Sequence, residues 1–124
     1  MTETSAEALI YDWNSRNRRG PLSPLRERKV SFFDETLRDG LQSPSVRDPN
    51  IEEKFEILRL GASLGIDAFD LGLPGAGARA KADVIALVQY AEREQLGIEY
   101  AAAGRTHEND INAIADVAQR ARVP

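Results

Sequence analysis

The sequence predicts an α/β fold with a parallel sheet, on three observations. Short apolar, strand-like runs alternate with longer segments whose apolar residues recur at helical spacing. The order strand then helix occurs three times from Val30 onward. The strand-like runs begin at Val30, Ile66 and Ile98, 36 and 32 residues apart, which is the length of a βα repeat. Such alternation puts parallel strands side by side with helices packed over them. An open doubly wound sheet and part of a (β/α)8 barrel both satisfy it, and periodicity alone does not choose.

Val30 to Phe33 is the first strand. Asp48-Pro49 then offers an N-cap and a first-turn proline, and Glu52 and Glu53 suit the positive end of a helix dipole. Ile51, Phe55, Leu58 and Ala62 share one helical face, and Gly65 is a C-terminal stop. Ile66 to Leu71 reads as a second, largely buried strand, followed by a glycine- and proline-rich loop from Gly72 to Gly77. Ala78 to about Gln95 is a second helix with Val84, Leu87, Val88 and Ala91 toward the core, ended by Gly97. Ile98 to Ala102 is the third strand. Thr106 is placed to cap a third helix whose apolar face is Ile111, Ile114, Ala118 and Ala121. Val123-Pro124 reads as the start of a fourth strand.

The segment before this pattern, residues 1–29, is different. Ala6 to Trp13 is compatible with a turn or two of helix, and Gly20-Pro21 and Ser23-Pro24 break regular structure. We read an extended arm whose arginines are a solvated basic run, with contact to a cofactor phosphate as the alternative. Net charge is -4, which points to neither nucleic acid nor an anionic membrane as partner. There is no cysteine, so disulfides, thiolate nucleophiles and cysteine-ligated zinc are excluded. No apolar run approaches the roughly 18 residues of a membrane span, and the polar first residues hold no signal-peptide core. The expected compartment is the cytoplasm.

The chemistry concentrates in Asp34-Glu35-Thr36-Leu37-Arg38-Asp39-Gly40-Leu41-Gln42, at the C-terminal end of the first strand, where α/β folds carry their active sites. The Asp39 carboxylate is a hard oxygen ligand suited to Mg2+, Mn2+ or Zn2+. Arg38 sets a permanent cation beside it. The pair suits a reaction in which an enolate or alkoxide oxygen becomes negative. Gln42 offers an amide to a substrate. On residue types alone, the same residues also read as a loop salt bridge followed by an Asp-Gly turn.

That nine-residue run resembles the signature that opens the barrel of the DRE-TIM metallolyase superfamily, whose members include 2-isopropylmalate, homocitrate and citramalate synthases and HMG-CoA lyase. Phe69-Asp70-Leu71-Gly72-Leu73-Pro74 is similar to the family's acidic-x-Gly-x-Pro loop after strand two, with Asp70 where synthases often carry Glu. Gly104-Arg105-Thr106 with Asp110-Ile111 resembles the segment from strand three into its helix. The resemblance covers residues 30–124 and leaves the arm unmatched. It implies a partial (β/α)8 TIM barrel of about three βα units. It further implies Arg38 as the catalytic arginine, Asp39 as a metal ligand, and Gln42 and Arg105 as substrate-binding residues at the pocket edge. For Arg105, a surface arginine near a helix start is the alternative. His107 lacks the His-x-His pattern of the family's other metal ligands and is expected at the surface.

The implied activity is a divalent-metal-dependent acyltransfer in amino-acid biosynthesis, in which acetyl-CoA condenses with a 2-oxo acid. An HMG-CoA lyase-like carbon–carbon cleavage and a non-catalytic assembly partner are the alternatives. A complete barrel needs about 250 residues, so the 124-residue chain is expected to be inactive alone. Three strands leave edges and a sheet face uncovered. Homo-oligomerisation, or association through that open edge, is therefore expected.

Overall fold

A computed structural model describes residues 29–121. The helix expected at residues 6–13, the arginines of the arm and the strand expected at residues 123–124 lie outside the described residues. All described secondary structure falls within one compact unit, Ser31–Pro124. Three strands, β1 (Phe33–Asp34), β2 (Ala68–Asp70) and β3 (Glu99–Ala101), alternate with three helices, α1 (Ile51–Ser63), α2 (Ala78–Arg93) and α3 (Glu108–Ala121). The strands lie parallel in the order β1-β2-β3. α1 packs on α2 and α2 on α3, as crossovers of one hand between neighbouring strands require. This is a partial α/β barrel of three βα units. None of the described helices is long and apolar enough to cross a membrane.

The strands are shorter than their apolar runs: β2 and β3 sit inside their expected segments, whereas β1 keeps only Phe33 of Val30 to Phe33 and runs on to Asp34, because the ladder to β2 pairs Phe33 with Ala68 and Asp34 with Phe69. β2 is central, and Phe69 on it is 1% exposed. Leu58 of α1 and Leu87 of α2 are both 0% exposed and close the core over Phe69, with Leu37, Leu71, Val84, Val88, Ala91 and Val117. The expected face of α2 is the buried one without exception.

Two local expectations are corrected. α1 is capped by Asn50, not Asp48: Asn50 Oδ1 accepts the Glu53 N–H at 3.0 Å, and the Glu53 carboxylate accepts the Asn50 N–H at 2.8 Å. This reciprocal capping box satisfies two donors that a lone Asp cap would leave to water. On α3, Ile111 faces outward at 57% exposure; Asp110 and Val117 are buried, Ala121 packs on the core, and Ile114 packs against Gly104. The charged Asp110 is buried because its partner comes from the preceding loop. Gly65 follows α1 at φ 85°, the left-handed value that ends a helix at a glycine.

Candidate active site at the ends of the first two strands

β1 stops at Asp34 and the chain turns at once. The Asp34 carboxylate accepts the Thr36 N–H at 2.9 Å and the Thr36 hydroxyl at 3.0 Å. The Glu35 carbonyl then accepts the N–H groups of Arg38, Asp39 and Gly40 at 3.1, 2.9 and 3.1 Å. Leu37 is buried as the anchor of this turn. A single 3-10 turn, Gly40–Gln42, follows. Winding the loop around one carbonyl and one buried leucine leaves Arg38 beside the end of β2.

Three carboxylates hold the Arg38 guanidinium through three different nitrogens. Nε donates to Asp70 Oδ2 at 3.3 Å, Nη1 to Asp39 Oδ1 at 3.2 Å, and Nη2 to Glu35 Oε2. The parallel register pairs Asp34 with Phe69, so Asp70 is the next residue along β2 and meets the loop that leaves β1. The Asp70 side chain is nearly buried, and its Oδ1 accepts the Gly72 N–H at 3.1 Å. Burial opposes the charge on Arg38, but Glu35, Asp39 and Asp70 outweigh it and raise its pKa above the ordinary arginine value. A guanidinium fixed in this way stays charged and can donate to an oxygen that becomes negative.

A cavity of about 490 Å³ opens beside it. Arg38, Leu41 and Gln42 form one wall, Leu71 and Leu73 another, and the start of α2 a third. Lys54 also lines it. That lysine is buried, with Nζ 2.7 Å from Asp83 and 3.4 Å from Asp48, while Arg79 Nη2 lies 2.7 Å from Asp48. The network ties the start of α1 to the start of α2. Asp48 thus serves these cations instead of a helix N-terminus.

Of the residues expected from the sequence, Arg38 and Gln42 share the cavity wall. Asp39 lies outside it, with a side chain 65% exposed. Arg105 is not part of the wall either; its guanidinium is held by Asp110 at 2.8 Å. His107 is exposed, and its Nδ1 accepts the Asn109 N–H at 3.3 Å, in the capping position expected of Thr106. Among the charged residues at the site, Glu35, Lys54, Arg79 and Asp83 drew no expectation. Glu35 was detectable as an acid three residues before an arginine in a turn. Lys54 carried no local signal, because its nearer partner, Asp83, is brought to it by the packing of α1 on α2.

Among the described residues, no group of three His, Cys, Asp or Glu side chains could hold a metal ion. Asp39 offers one outward carboxylate, and one of its oxygens already accepts from Arg38. The described residues by themselves do not fit a divalent cation.

No family model matches the chain, and no solved structure matches it significantly. Curated proteins do. The chain is 36% identical to a 2-isopropylmalate synthase of Saccharolobus solfataricus over 88 residues, which is 71% of this chain and 22% of that protein. It is 34% identical to a 2-isopropylmalate synthase of Sulfurisphaera tokodaii over 92 residues, 74% of this chain and 23% of that protein. A 65-residue stretch is 45% identical to a 2-isopropylmalate synthase of a Geobacillus species, covering 52% of this chain and 12% of that protein. The chain therefore spans less than a quarter of the length of these relatives. Over the shared seven-tenths of its sequence it is similar to part of the 2-isopropylmalate synthases, and what it has in common with them is a partial DRE-TIM metallolyase domain.

Proposed function

We propose that this chain is part of a divalent-metal-dependent acyltransferase that condenses acetyl-CoA with a 2-oxo acid, as the names of its relatives suggest. The observation that carries the reading is Arg38: a guanidinium aligned by three carboxylates at the ends of adjacent parallel strands, with one side on the cavity wall. In this reading Arg38 is the catalytic arginine and stabilises the oxygen that becomes negative as the carbon–carbon bond forms. Gln42, on the same wall, orients the 2-oxo acid, and the apolar side chains Leu41, Leu71 and Leu73 keep water from it. Asp39 contributes one metal ligand, and the rest of the ligand set comes from outside the described residues. The metal would supply Lewis-acid polarisation of the substrate oxygens. Such an enzyme acts in the cytoplasm.

The test is a graft of residues 30–124 in place of the matching segment of one of the 2-isopropylmalate synthases. The grafted enzyme should release CoA from acetyl-CoA in the presence of a 2-oxo acid, and the isolated chain should not. In the graft, Arg38→Ala should lower kcat by about 100-fold or more with little change in KM, the loss expected for one donor to a developing oxyanion. Asp39→Asn should weaken metal binding measured by calorimetry. Unchanged turnover in a folded Arg38→Ala graft would remove the arginine from the chemistry.

A second reading, a non-catalytic assembly partner, is favoured by Phe32 and Phe33, which are 60% and 53% exposed at edge strand β1. Sedimentation separates the two readings. Self-association of the isolated chain that disappears in Phe32→Ser/Phe33→Ser, together with an inactive graft, is the outcome that supports it.

A further inference from the structure

The third βα unit contains a buried carboxylate with no part in the chemistry above. Asp110, in the first turn of α3, is 0% exposed. Among the described residues, Arg105 supplies all the hydrogen bonds to its carboxylate. Its Oδ2 accepts the Arg105 N–H at 3.0 Å and Nε at 2.8 Å, and its Oδ1 accepts Nη2 at 2.8 Å. Two parallel guanidinium bonds and a backbone bond to one carboxylate make a strong and directional clamp. It is also obligatory, because a carboxylate buried without a partner would be expelled or neutralised. The loop between β3 and α3 is thereby closed onto its own helix.

The same carboxylate abuts the loop after β2. A Cβ at Gly75 would lie 2.4 Å from Asp110 Oδ1 and 2.5 Å from its Cγ, so only a glycine lets the 3-10 turn Pro74–Ala76 come this close. That turn packs against both α2 and α3. It is also a piece of the site. Leu73 before it, Ala76 within it and Gly77 after it line the cavity beside Arg38. Gly72, one residue further back, donates to the carboxylate of Asp70 that holds Arg38. A loop with glycine at positions 72, 75 and 77 has much conformational freedom to lose. Its own side chains do little to restrict that freedom.

We infer that Asp110, clamped by Arg105, is the positioning residue of the cavity beside Arg38: it acts through the Gly75 turn and sets where the Leu73–Gly77 wall stands. What the wall positions rests on the proposed 2-oxo acid site; that the wall is held from Asp110 does not. Arg105 then shapes the pocket by anchoring a loop, without touching a substrate.

Amide hydrogen exchange on the full chain reads the latch. In Asp110→Ala, the amides of Arg105 and Ala76 should exchange about 10-fold faster or more, while Val84, Leu87 and Val88 inside α2 keep their rates, the pattern of local opening. Equal acceleration throughout α2 would make the effect global and overturn the inference. Gly75→Ala is the independent variant. It should loosen Ala76 in the wild-type background and change it less than about 2-fold in the Asp110→Ala background, where the group its Cβ meets is gone. Additive effects would also overturn the inference. Titration with 2-oxoisovalerate, a 2-oxo acid with a branched apolar end, supplies the readout that a merely structural role would not move. The shifts of the Leu73 and Gly77 amides should follow binding, with Kd about 5-fold weaker or more in Asp110→Ala. If the wild-type chain binds none of it, the same titration is read in the graft, where absence of binding sinks the substrate reading; the exchange data decide the latch in either case.

Discussion

Gly61→Ala should destabilise this protein, against the ordinary preference of a helix. Gly61 lies in the last turns of α1, where alanine is normally better than glycine by about 1 kcal/mol. Here a Cβ would lie 2.3 Å from Phe69 Cζ and 2.8 Å from its Cε1. Two carbons sit comfortably at about 3.5–4.0 Å, so the ring must retreat by more than an ångström. Phe69 is 1% exposed and packed in the same core as Leu58 and Leu87, so it has little space to retreat into. Overpacking of this kind costs about 1–3 kcal/mol. Less the gain in helix propensity, the net loss is about 1 kcal/mol, or a fall in Tm of about 4–8 °C for a domain this small. Thermal melts followed by far-ultraviolet circular dichroism measure it. In Phe69→Leu, where the ring is gone, the added methyl should cost nothing further. A rise in Tm for Gly61→Ala in the wild-type background would show that the ring has room to move, and that α1 does not press on β2 at this point.

Other perturbations test the charges. Lys54→Ala should cost about 1.5–3 kcal/mol in urea melts, because it strips a buried cation from Asp83 and Asp48. Arg59→Ala, which breaks the exposed pair with Glu56, should shift the urea midpoint far less than Lys54→Ala does, because solvent screens that pair. Hydrogen bonds from the Arg105 side chain and backbone hold the Asp110 carboxyl down at about 2. Its folded-state pKa is therefore below the unfolded value of about 3.9. The resulting stability is present above that unfolded value and is lost as pH falls through about 2. Asp110→Asn should flatten this part of the acid limb of the stability curve. An unchanged limb would show that the clamp does not select the ionised form.

The sequence by itself determined the strand–helix order, the inward face of α2 and the place of Arg38 at the end of β1. Each depends on a local signal. Val84, Leu87, Val88 and Ala91 recur at helical spacing, and the Asp34–Gln42 motif follows directly on an apolar run. Part of the rest was written locally but outweighed: the capping box of Asn50 and Glu53 lay two residues beyond the equally plausible Asp48-Pro49. The remainder was decided only by tertiary structure, because it concerns which charges meet. Asp70 reaches Arg38 across 32 residues because β1 and β2 pair in parallel at the register of Asp34 with Phe69. Lys54 finds Asp83 across 29 residues because α1 packs on α2. Asp110 turns inward in place of Ile111 because Arg105 folds back to neutralise it and Gly75 leaves room for it. Periodicity reports how apolar groups leave water along one element. The burial of a charge depends on a partner, and in this fold most partners are brought by another element or by a loop folding back.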